Sequence, residues 1–154
     1  TFSIKCINTL IGKYLEHPSI DPFSNSNKLA EITNDLDPSF NTTYNMNALD
    51  CLKIQPSNFF QTVLYDPPYS PRQVSESYKK FGMTVNMQTT QSSFWGDLKK
   101  EIARILKVGG IAISFGWNSN GIGITKGFEI VEILLVSHGR HHNDTICTVE
   151  RKIK

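Results

Sequence analysis

Apolar positions recur along this chain with two different periods. In "IKCINTLIGKYL" the residues Ile4, Ile7, Leu10, Ile11 and Leu15 share one stripe at helical spacing, which His17-Pro18 ends. "SIDPF" (19–23) is short and apolar and runs into the turn-rich "SNSNK", the pattern of a strand entering a turn. "AEITNDLDP" (30–38) repeats that form, and "TTYNMNALDCLKI" (42–54) reads as a third strand leading into a short helix or turn. "FFQTVLYD" (59–66) is a β-rich apolar run suited to a strand buried on both faces. The polar stretch from about 71 to 93 is expected to be helical in its first half and a loop in its second. "FWGDLKKEIARILKVGG" (94–110) is the clearest helix, with Phe94, Leu98, Ile102 and Ile105/Leu106 on its apolar face and Gly109-Gly110 as its stop. "IAISFGW" (111–117) predicts a buried strand, and "FEIVEILLVSH" (128–138) and "TICTVERKI" (145–153) predict a closing antiparallel hairpin.

Strands that alternate with helices and end in a hairpin describe a doubly wound α/β sheet with an antiparallel element at its C-terminal side. Such sheets bind ligands beyond the carboxyl ends of their parallel strands. Four polar strand ends, "SIDPF", "TNDLD", "YNMNA" and "LYDPPY", are thereby expected to face one crevice.

Composition narrows the picture without choosing a function. The 154 residues are read as one domain, 1–154, with 39% hydrophobic and 19% charged residues. No apolar run approaches the roughly 20 residues of a membrane span, and "TFSIKCINTL" lacks a signal-peptide pattern. Cys6, Cys51 and Cys147 are widely spaced and odd in number, so free thiols in a reducing cytoplasm are expected. A net charge of +2 is compatible with a polyanionic partner but does not point to one.

The chemistry concentrates in Asp66-Pro67-Pro68-Tyr69. Each proline holds φ near −65° and removes an N–H, so the segment is stiff, extended and rich in acceptors. Asp66 adds a carboxylate, and Tyr69 adds an aromatic face. A planar group with a two-hydrogen amine, such as a nucleobase, suits that arrangement. Acceptors drawing on both hydrogens restore density to a nitrogen otherwise conjugated into the ring, and the tyrosine stacks on a base that has left its helix.

These residues resemble the catalytic motif of the S-adenosylmethionine-dependent amino-methyltransferases that act on adenine N6 or cytosine N4. The resemblance runs along nearly the whole chain in the family's γ-like order. "FSIKCINTLIGKYL" is similar to the helix before the donor site, which implicates Phe2, and "IDPFSNSN" stands in place of the Gly-rich donor loop, implicating Asp21, Pro22 and Phe23. "NDLDP" resembles the segment with the ribose-binding acid, with Asp35 the better match and Asp37 the reserve, and "MNALD" makes Asn47 the adenine contact. Asn25 and Asn27 stand where the family has glycines; asparagine tolerates left-handed φ better than most residues. Only about a dozen residues separate "DPF" from "NDLD", so the intervening helix is expected to be very short or missing.

The resemblance implies a Rossmann-like methyltransferase sheet of seven strands, the last inserted antiparallel. It implies S-adenosylmethionine as cofactor and catalysis by Asp66, Pro67, Pro68 and Tyr69, with Asp66 also facing the donor. Aspartate in the first position favours adenine, giving a site-specific adenine DNA methyltransferase of the restriction-modification kind, with no metal. No separate target-recognition domain is evident, which leaves room for a specificity partner or a homo-oligomer. Two alternatives stay open: the same chemistry on an RNA base, and a non-catalytic remnant that binds nucleic acid or a partner.

Other features have plainer readings. His138, His141, His142 and Asp144 suggest metal ligands but suit a polar hairpin turn better. Arg72, Lys79 and Lys80 are placed to meet phosphates or simply to face water. Asn47 is equally suited to cap the helix after it. "GIGITKG" lacks phosphate-loop spacing, and Trp95 and Trp117 adjoin core elements, where packing is their expected role.

Overall fold

The structure is a computed structural model that describes residues 1–68, 92–139 and 143–154. The elements within them are α1 (Lys5–Tyr14), β1 (Ser19–Asp21), β2 (Ile32–Thr33), α2 (Ala48–Lys53), β3 (Phe60–Tyr65), α3 (Ser92–Ile105), β4 (Leu106–Gly116), β5 (Phe128–Val136) and β6 (Thr145–Lys152). The strands form one sheet in the order β2-β1-β3-β4-β6-β5. Its first four members are parallel, and β6 is antiparallel to both β4 and β5, as expected of the last strand.

Among the described residues the sheet has six strands, not seven. The segment read as a third strand reaches β2 only through a single parallel bridge, Asn34 to Tyr44. Side-chain hydroxyls displace the ladder there: the Thr33 amide donates to Thr43 Oγ1 at 3.1 Å and the Thr43 amide to Thr33 Oγ1 at 3.2 Å. The segment between β1 and β2 forms no helix, as its length requires. The 94–110 helix also differs from expectation. It ends at Ile105, and β4 begins at once, with residues 107–110 inserted between the register pairs Phe60–Leu106 and Thr62–Ile111. Gly109 has φ +88° in this excursion, and a Cβ on Gly110 would come within 2.8 Å of the Lys107 carbonyl, so both glycines serve a bulge rather than a helix stop.

The pleat sorts side chains into two cores. On one face Ile7, Leu10 and Ile11 of α1 pack on Leu64, Ile113, Phe115, Cys147 and Val149. On the other, Leu52 of α2 and Leu98, Ile102 and Ile105 of α3 pack on Ile20, Val63, Tyr65 and Ala112. Lys152 is buried at the base of this second core. Its ammonium is solvated by neutral oxygens, donating to the Ala103 and Leu106 carbonyls at 2.6 and 2.7 Å and to Asn58 Oδ1 at 3.2 Å. The cation thus sits at the negative end of α3, on one carbonyl of its last turn and on the first carbonyl of β4.

Candidate functional site

Asp21, Asp35 and Asp66 meet at the carboxyl ends of the parallel strands. Ile20 faces the α2/α3 core, so Asp21 turns toward the α1 side; the same alternation, continued past Leu64, sends Asp66 to that side too. Two electrostatic couplings agree with this placement. Asp66 raises the pKa of buried Cys147 on the α1 face, after burial itself and Cys6, and both Asp66 and Asp35 raise that of Asp21.

Asp21 is completely buried. Burial pushes its carboxyl up to about 7, against the pull of hydrogen bonds from Asn27 and the Phe23 amide. Those bonds define the loop: Phe23 N donates to Asp21 Oδ1 at 3.1 Å and Asn27 Nδ2 to Oδ2 at 3.2 Å. Asn27 also donates to the Ser24 carbonyl at 2.6 Å and accepts from the Leu29 amide. Asn25 has φ +51°, so asparagine takes the left-handed turn for which the resembled family uses glycine. The Asn27 side chain is turned inward, onto Asp21 and Ser24.

Asp35 spends both oxygens on backbone amides, Oδ2 on Asn25 N and Oδ1 on Asp37 N, each at 2.9 Å. Asn47 caps α2, accepting from the Leu49 amide at 2.9 Å. Pro22 is buried, and the Phe23 ring lies 6.1 Å from that of Tyr65, whose phenol burial holds well above its ordinary pKa. Phe2 is buried against Phe115 at 4.8 Å between centroids, which puts it on the α1 face with Asp21 and Asp66. Asp66, Pro67 and Pro68 are half-buried at the end of β3. Tyr69, Arg72, Lys79 and Lys80 lie outside the described residues, as do His141 and His142. His138 bonds Thr145 Oγ1 at 2.6 Å, and the described residues contain no cluster of three metal-ligating side chains.

One organising residue escapes a sequence reading. Asn34 is 1% exposed, and its amide group donates to the Pro22 carbonyl at 3.1 Å and the Met46 carbonyl at 3.0 Å while accepting from the Met46 amide at 3.2 Å. Its backbone donates to the Asp21 carbonyl and accepts from the Ser24 amide, each at 2.9 Å. Asn34 therefore ties together the loops that present Asp21, Asp35 and Asn47. The only advance signal was an asparagine directly after a β-branched pair, which reads equally as a turn.

Three acids in one partly buried crevice suit a cationic ligand, because a positive charge relieves the cost of ionising Asp21. That gives a pH test of the site. Asp21 binds a proton in the folded chain up to about pH 7 but in the unfolded chain only up to the ordinary aspartate value of 3.8. Folding stability therefore falls as pH rises from about 4 to about 7 and then levels, since the native state binds more protons in that window. Asp21→Asn should flatten this slope in urea-unfolding curves taken across the same range; an unchanged slope would remove Asp21 as its source.

No family model matches the chain, and no curated protein does. Solved structures do. A methyltransferase from Methanosarcina mazei, described as SAM-dependent, has a TM-score of 0.57 at 11% identity, with 94% of this chain and 97% of that one covered. The 1,6-didemethyltoxoflavin-N1-methyltransferase of Burkholderia thailandensis, solved with bound 1,6-didemethyltoxoflavin and S-adenosylhomocysteine, has 0.58 at 10%, covering 88% and 71%. The N-methyltransferase NodS of Bradyrhizobium japonicum has 0.57 at 7%, covering 88% and 85%. At these identities the likeness is one of fold, and the fold is the Rossmann-like one of these methyltransferases.

Proposed function

We propose that this chain is an S-adenosylmethionine-dependent methyltransferase that modifies the N6 amino group of adenine in DNA. The observation that carries the proposal is the convergence of Asp21 and Asp35 with Asp66-Pro67-Pro68 at one end of the sheet. The Asp21–Phe23 loop, Phe2, Asp35 and Asn47 would hold the donor, which when bound supplies an electrophilic methyl group on a sulfonium. The Asp66 carboxylate and the Pro67 carbonyl accept the two amine hydrogens, and the proton released on methylation leaves through Asp66. Pro67 and Pro68 keep those acceptors from rotating away, and Tyr69 stacks on the extruded base. Much of the acceleration comes from holding amine and methyl group together.

The geometry of Asp35 favours a second reading, a methyltransferase-like fold that binds without turnover, because both its oxygens already serve loop amides. Isothermal titration with S-adenosylmethionine separates the two. Saturable binding that Asp35→Ala weakens by about 10-fold or more, the scale of a hydrogen bond to a charged group, supports the enzyme. A flat titration at millimolar donor supports the remnant.

A further inference from the structure

We propose that a cleft beside β2, on the α1 face of the sheet, binds a phosphate ester through Lys28 and the paired hydroxyls of Thr33 and Thr43. This site goes beyond the methyl-transfer reading and does not rest on it. Two parallel strands usually need a crossover of about a dozen residues or more, with a helix laid over the sheet. Residues 22–31 connect β1 to β2 without a helix, and β2 is the outermost strand of the described sheet. The α1 face keeps a cleft of about 500 Å³ at this edge, lined by His17, Thr33 and the segments 28–31 and 41–43. Ala30 is buried in the core on the α1 side, which fixes the face. None of Asp21, Asp35, Asn47 and Asp66 is among the residues lining the cleft, and its volume suits a ligand of nucleotide size.

The lining has donors to spare. Thr33 and Thr43 exchange amide bonds, each hydroxyl oxygen accepting from the other residue's N–H, at 3.1 and 3.2 Å. Both oxygens are held in place by these bonds, while their own hydrogens have no acceptor among the described residues. Thr33 is 4% exposed, so few water molecules compete for its hydrogen. Lys28 donates to the carbonyl of Asn41, two residues before Thr43, which brings its ammonium to the same wall. No acid among the described residues pairs with that ammonium. The remaining ammonium hydrogens and the two hydroxyl hydrogens form a positively charged donor set, and the acceptor oxygens of one phosphate satisfy all of it. A neutral ligand would leave the charge unpaired. Glu31, the one acid among the lining residues, lies 3.7 Å from His17 Nδ1 and supplies an acceptor for a hydroxyl on the organic part of the ester.

The test titrates the full chain with ribose 5-phosphate and with ribose by calorimetry, and with a labelled single-stranded DNA oligonucleotide by fluorescence anisotropy. The expected result is saturable binding of a phosphate-bearing probe and none of ribose. Lys28 is exposed, so Lys28→Ala leaves the fold intact; it should weaken that binding about 10- to 150-fold, the scale of a hydrogen bond to a charged group. Lys28→Arg keeps the charge and should recover most of it. Loss confined to ribose 5-phosphate identifies a free ester as the ligand. Loss on the oligonucleotide, with its salt slope reduced by about one, identifies a nucleic-acid backbone. Loss on both means that the cleft takes the group from either source. A wild type that binds neither phosphate probe overturns the proposal, as does a Lys28→Ala that binds both like wild type. S-adenosylmethionine carries no phosphate, so donor calorimetry should give the same curve for wild type and Lys28→Ala. A parallel loss of donor binding would mean one shared site and overturns the separate one.

Discussion

Asp66→Ala should lower methyl transfer at least about 100-fold while leaving the folded state almost unchanged. The two halves of this expectation have different physical sources. Asp66 is half-buried at the end of β3, outside both apolar cores, so its removal opens no cavity in them, and the midpoint of thermal unfolding should move by no more than a few degrees. Its carboxylate is nonetheless the one charged acceptor on the Asp-Pro-Pro segment, and an amine conjugated into a base has little nucleophilicity unless its hydrogens are drawn off. Asp66→Asn keeps the shape and one acceptor oxygen but no charge, so it should fall between alanine and wild type. Removing the charge also takes a like neighbour from Asp21, whose pKa should drop toward its ordinary value and shift the pH profile of stability downward. A kinetic series with adenine-containing DNA checks all three points. Turnover retained in Asp66→Ala would eliminate this residue as the amine acceptor and with it the proposed reaction.

Much of the fold was legible because its periodic segments are long or fully apolar. The stripes of α1 and α3 and the runs of β3, β5 and β6 each left one dominant reading, and the structure has them close to where the spacing put them, except that α3 ends at Ile105 instead of running to Gly110. Reading failed where a local signal had two physical meanings. Gly109-Gly110 looks like a helix stop but serves a strand bulge, because tertiary pairing of Leu106 with Phe60 overrides the helical propensity of "ILKV". The segment read as a third strand is displaced because the Thr33 and Thr43 hydroxyls each accept the other residue's backbone amide. The site divides along the same line. Residues that announce themselves by type at a strand end, Asp21, Asp35 and Asp66, do converge. Asn34 did not announce itself, because nothing local distinguishes a buried asparagine that ties loops together from one in an exposed turn.

Asn34→Ala should cost about 2–4 kcal/mol of stability, since it leaves the Pro22 carbonyl and both backbone groups of Met46 without this partner in a partly buried setting. Urea unfolding should show a lower midpoint with the slope unchanged. The effect on donor binding should exceed that of Asp35→Ala, because one side chain positions three segments of the proposed donor site at once. Asn34→Asp sharpens the test. An ionised carboxylate there would face two carbonyl oxygens and donate to neither, so the variant should be at least as unstable as alanine at neutral pH. Burial would raise the new acid's pKa, and its protonated form can donate one hydrogen bond, so acidification should return part of the lost stability. Unfolding of Asn34→Ala at the wild-type urea concentration would mean that the backbone alone sets these loops. The proposed donor site would then owe its shape to the Asp21 and Asp35 turns and not to a shared anchor.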